Sequence, residues 1–149
     1  MNAPTVEVAL WWMERLAGLA ALQGTLELLV WRRHLRDDGT WRWETLSREM
    51  RWLAPLLRYR PFIGILSLRL ACAALLLAGV RGATVPVLWL ASLLVNIRFR
   101  GSTNGGSDMM GMVVLTGVGV AHVGASAPVV VQGALVYVAA QAVDRKSVV

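Results

Sequence analysis

Residues 8–31 read VALWWMERLAGLAALQGTLELLVW. At a rise of about 1.5 Å per residue, roughly 20 residues cross a hydrocarbon core of about 30 Å, so the stretch is long enough to span a bilayer. No basic residue precedes Arg15, so the positively charged start of a cleaved signal peptide is missing and the stretch reads as a retained helix. Ala17, Gly18, Ala20, Ala21 and Gly24 recur along it. Small residues of this kind let helix backbones approach closely in lipid.

Four further apolar blocks follow, at about 61–80, 83–97, 109–124 and 127–143. Gly82 and the stretch GASAP at 124–128 read as tight turns, and RFRGSTNGGSD at 98–108 as a longer polar loop. Of the 149 residues, 56% are hydrophobic and 16% charged, and the mean hydropathy is +0.56. A soluble domain carries roughly 45–50% apolar and about 25% charged residues, so the composition excludes a disordered tail and disfavours an ordinary soluble domain. The expectation is a single all-α domain over 1–149, a polytopic transmembrane bundle of about five spans. Four spans result if 70–97 forms one broken helix.

The connector between the first two blocks, residues 32–60, carries eight Arg, four acids and His34. Within it Trp43, Leu46, Met50, Leu53 and Leu57 recur at spacings of three and four, one face of a helix. Arg48, Arg51 and Arg58 fall off that stripe. Asp37 to Thr40 supply turn and N-cap chemistry, and Pro55 should kink or end the helix. These features predict an amphipathic interfacial helix over about 41–54, its arginines on anionic headgroups.

Fourteen of the fifteen basic residues are Arg, against nine acids, for a net charge of +6. A nucleic-acid module would set its Arg on a polar face, whereas these lie between apolar blocks, so lipid rather than nucleic acid is the expected partner. With five spans and the N-terminus outside, the inner loops hold twelve basic residues, Arg98, Arg100, Arg145 and Lys146 among them, and the outer side holds Arg81 alone. Basic residues in short loops stay on the cytoplasmic side, which predicts an N-out, C-in topology.

Glu14, Arg15, Glu27 and Arg69 fall inside expected spans, where a charge costs about 2.5–3.5 kcal/mol at the helix centre unless paired. A structural ion pair among them is the favoured reading, with Glu14 and Glu27 as partners for Arg69. A substrate or proton route is the sharper one. Asn104-Gly105-Gly106-Ser107-Asp108 can form a turn with Ser107 or Asp108 capping the helix from Met109. Its backbone N–H groups, with Arg98 and Arg100 and with Gly105 and Gly106 leaving room, could alternatively hold a lipid phosphate. The terminal Lys of a P-loop is missing.

His34 and His122 lie on opposite sides of the expected membrane, so they cannot share a metal. A hydrogen-bonded packing role is expected for His122, with haem ligation the remote alternative. Cys72 is the only cysteine, which leaves no internal disulfide and no multi-Cys metal site. No nucleophilic catalytic set, metal set or cofactor motif is found, and Met109, Met110 and Met112 read as packing residues.

Glu14-Arg15-Leu16-Ala17-Gly18-Leu19-Ala20, Leu26-Glu27-Leu28-Leu29, Arg32 to Gly39 before a Trp-containing helix, and Asn104 to Asp108 opening another form a pattern. It resembles the N-terminal part of bacterial membrane proteins related to the horizontally transferred transmembrane (HTTM) domain of vitamin K-dependent γ-carboxylases. The resemblance covers most of the chain and implies a membrane helical architecture. Members of that family usually continue through further membrane helices after a segment like Tyr137 to Val143. No residue here matches the family's carboxylase machinery, so that activity is not implied.

The expected function is a non-enzymatic accessory or assembly subunit of a larger membrane complex, respiratory or photosynthetic, in a bacterial inner membrane. Its partners would be membrane lipids and other transmembrane subunits. Two alternatives stand beside it: a small membrane enzyme or quinone-binding redox-linked protein using Glu14, Arg69 or His122, and a truncated member of an HTTM-like family. Convergence of those three residues on one pocket would discriminate the enzyme-like alternative.

Overall fold

The computed structural model describes residues 3–40, 48–99, 105–123 and 128–146. These form α1 (Ala3–Val30), a 3-10 helix (Arg48–Leu53), α2 (Ala54–Leu57), α3 (Tyr59–Leu77), α4 (Thr84–Phe99), α5 (Gly105–Val123) and α6 (Pro128–Lys146), with no strand among them. All five apolar blocks are therefore helical. Among the described residues one helix, α3, is both long and apolar enough to cross a membrane. Thr84–Phe99, Met110–Val123 and Val129–Ala140 are apolar but shorter. The length of α1 suffices, but Glu7, Glu14, Arg15, Gln23 and Glu27 dilute its apolar character.

Packing closes a ring in which α1 meets α3, α3 meets α4, α4 meets α5 and α5 returns to α1, with α6 laid mainly against α5. Small residues set the closest approaches. A methyl group on Gly18 would lie 3.2 Å from Leu77 Cγ and 3.3 Å from the Ala73 carbonyl, so α1 and α3 touch nearly backbone to backbone. Ala17, Ala21 and Ala73 fill that seam. At Gly117 a methyl would come within 2.6 Å of Val138 Cγ2, and this absence seats α6 on α5.

The turn after α3 is a glycine-stopped helix end. Gly79 takes φ +90°, its N–H bonds to the Leu76 carbonyl, and the Val80 N–H reaches back to Leu75. This is the Schellman pattern, which needs a residue without Cβ strain at the left-handed position. Gly82 is the second left-handed residue, φ +77°, before α4 begins.

At the other end the connector departs from expectation. Residues 41–47, with Trp43 and part of the apolar stripe, lie outside the described residues. From Arg48 the chain is 3-10 to Leu53, followed by one α-turn with Pro55 in its first turn. Pro55 has no N–H to donate and its ring crowds the preceding turn, so it starts a helix rather than continuing one. Leu53 and Leu57 are buried against Leu35, Phe62, Leu66, Val95 and Phe99. That part of the stripe covers the bundle end instead of a membrane surface. Asp37 does cap a helix, but it is α3: its Oδ1 accepts from the Tyr59 N–H at 3.2 Å. A carboxylate there satisfies an otherwise open first-turn donor.

A last correction concerns α5. Gly105, Gly106, Ser107 and Asp108 are already helical, four residues ahead of the expected start at Met109. Ser107 and Asp108 thus lie inside the first turn instead of preceding it as caps.

Candidate functional site

α1 runs antiparallel to α3, and the contact of Gly18 with Ala73 and Leu77 fixes their register. One helical turn toward the start of α1 from Gly18, Glu14 comes level with the turn that follows α3. Its carboxylate, 2% exposed, accepts from Arg81 Nε through Oε2 at 3.0 Å. The other oxygen, Oε1, lies 2.8 Å from His122 Nε2 on α5. That approach is close enough for an ion pair, although its angles fall short of a regular hydrogen bond. One buried carboxylate is thus shared by the turn and by the end of α5.

The cluster borders an open groove of about 720 Å³. Val85 and Trp89 of α4, Thr116, Val120 and His122 of α5, and Val130 of α6 line it. Polar atoms along its wall are satisfied locally: Trp89 Nε1 donates to Thr116 Oγ1 at 2.9 Å, and that hydroxyl donates to the Met112 carbonyl at 2.8 Å. The wall is consequently apolar except at the His122 end. Burial of this much concave apolar surface beside a few polar groups is the usual form of a small-molecule site.

The other candidate residues are dispersed. Arg69 Nε donates to Ser92 Oγ at 3.0 Å, in the α3–α4 seam. Arg15 sits over the Trp11 ring, 5.0 Å from its centroid, and lies near Gly79, where a methyl would meet its Nη2 at 3.1 Å. A cation at the C-terminus of α3 complements the helix dipole. Glu27 accepts from Gln23 Nε2 on the exposed side of α1. Glu14 and His122 therefore come together, while Arg69 bonds into a different seam.

Of the residues expected on headgroups, Arg51 and Arg58 are exposed. The side chain of Arg48 and the whole of Arg100 lie outside the described residues. Arg98 overturns its expectation. It is 3% exposed, donates through Nη2 to the Leu35 carbonyl at 2.7 Å, and its guanidinium lies 4.3 Å from the Phe62 ring centroid. A guanidinium stacked and bonded inward cannot also serve a lipid phosphate.

Arg81 is the residue that sequence reasoning missed as a partner, because loop position marked it as solvent-facing. The small-residue spacing of α1 held the missing signal: aligning Gly18 and Ala21 with Ala73 sets Glu14 beside the turn. Among the described residues, no group of three or more His, Cys, Asp or Glu could hold a metal ion. No family model, curated protein or solved structure matches the chain.

Proposed function

We propose that the chain is a multi-pass protein of a bacterial inner membrane, a non-enzymatic accessory or assembly subunit that packs against other transmembrane helices. One observation carries the reading: around an apolar core, charged side chains stand inward and large apolar ones outward. Glu14, Arg69 and Arg98 are buried, whereas Leu16, Leu19 and Val30 of α1, Leu90 of α4 and Val129 and Val136 of α6 are each more than half exposed. Water disfavours both halves of that distribution, and lipid or partner helices favour both. α5 and α6, each of 19 residues, are about 28 Å long, close to one hydrocarbon thickness.

Five spans, α1 and α3 to α6, with the N-terminus outside, put the Arg-rich connector and Lys146 on the inner side by the positive-inside rule. Arg51 and Arg58 would then meet anionic headgroups. Gly64 and Gly133 add to the case for partner helices, since nothing lies within 4 Å of a methyl placed on either. Blue-native electrophoresis of the native membrane in mild detergent should show the chain in a species several times its own 16.2 kDa plus detergent. Migration as a lone monomer overturns the subunit reading.

The meeting of Glu14 with His122 beside a groove favours a second reading, that the protein also handles a small apolar ligand.

A further inference from the structure

We infer that the α4–α5–α6 groove binds a single-chain anionic amphiphile, a long-chain carboxylate, with its head on Arg81 and His122 and its chain along the wall that runs past Trp89. The site specifies the class of ligand behind the second reading and does not depend on the number of spans or on partner subunits.

Three features select this occupant. The groove is about 720 Å³, within the range of roughly 300–1,000 Å³ that small-molecule sites occupy. Its wall offers no open hydrogen-bonding group, because Trp89 and Thr116 are bonded to each other and to Met112. A chain of CH₂ groups suits such a wall, and a polar molecule would lose its water without replacement.

The head end has the opposite character. Arg81 commits only Nε to Glu14, its side chain is 49% exposed, and its terminal nitrogens have no partner among the described residues. A guanidinium so placed presents a fork of donors that matches a carboxylate. His122 turns its buried Nε2 toward Glu14, while the rest of its ring borders the groove. Gly82, next to Arg81 in the chain, also lines the groove and has open space where a side chain would stand. Glu14 already offsets one positive charge at this end, so the head site suits a singly charged group better than a dianionic phosphate monoester.

The test is equilibrium binding of radiolabelled oleate to the full chain in nanodiscs of zwitterionic lipid. Wild type should take up one oleate per chain saturably, in excess of empty discs. Arg81→Gln should weaken binding at least tenfold. Val120→Trp, which fills the groove from a half-exposed position and leaves the Glu14 cluster intact, should weaken it as much; circular dichroism checks that both variants keep wild-type helicity. Unlabelled oleyl alcohol should compete at least tenfold less well than oleate, and oleoyl lysophosphatidate should fall between them. Absence of saturable uptake, or equal uptake by wild type and Val120→Trp, overturns the site. Preference for the lysophosphatidate overturns the carboxylate assignment, and equal competition by the alcohol overturns the role of Arg81. None of these outcomes alters the electrophoretic test of subunit assembly.

Discussion

Two arginines stand at opposite ends of the bundle, and their surroundings differ in kind. Arg81, on the turn between α3 and α4, is half exposed and bound to a buried carboxylate. Arg98, near the end of α4, is buried, and it is held by the Leu35 main-chain carbonyl and the face of Phe62. At the connector end the guanidinium is enclosed within the structure it closes. At the turn end it is left with free donors beside a groove. The same side chain thus serves as a rivet in one place and as a recognition group in the other, and the partner atom decides which.

Arg98→Ala should give the largest effect, a loss of about 3 kcal/mol in a reversible SDS-unfolding titration followed by circular dichroism, from an orphaned Leu35 carbonyl and a cavity beside Phe62. No side-chain substitution at Leu35 can restore it, because the acceptor belongs to the main chain. Arg81→Met should cost less, about 2 kcal/mol, since solvent screens part of the interaction and the cost lies mainly in stranding Glu14. Adding Glu14→Leu should recover more than half of that loss. If the double variant is no better than the single, or if Arg81→Met is the more damaging of the two arginine changes, the contrast between the ends fails.

The smallest effects belong to the seams. Gly117→Ala should destabilise by roughly 1–2 kcal/mol because its methyl meets Val138, whereas Gly24→Ala, with open space around it, should be neutral or stabilise by up to about 1 kcal/mol. Equal effects at the two glycines would remove the close approach of α6 from the account.

The helices themselves were legible because apolar blocks and their turn residues are local signals. The expected start of α5 fell four residues late, since Gly105 and Gly106 read as loop formers and nothing local shows that a helix tolerates them. The connector stripe was visible, but its destination was not: burial of Leu53 and Leu57 depends on Phe62 and Phe99, which lie beyond the window of any periodicity. Pairing of charges was least legible. Glu14 and Glu27 read as partners for Arg69 because all three fall inside expected spans, yet the α1–α3 register sets Glu14 at the level of Arg81, and the α3–α4 seam offers Ser92 to Arg69. His122 entered the cluster through α5, an element with no sequence proximity to either.

Gly79 carries two requirements in one missing methyl. Its left-handed backbone ends α3, and the space over its Cα receives the guanidinium of Arg15 from α1. The place where one helix stops is therefore also the place where another is seated. A residue inserted into α3 would shift the stop signal by 100° and carry the socket away from Arg15. The length of α3 and the height of α1 beside it are a single degree of freedom, and the level at which Glu14 meets Arg81 is its readout.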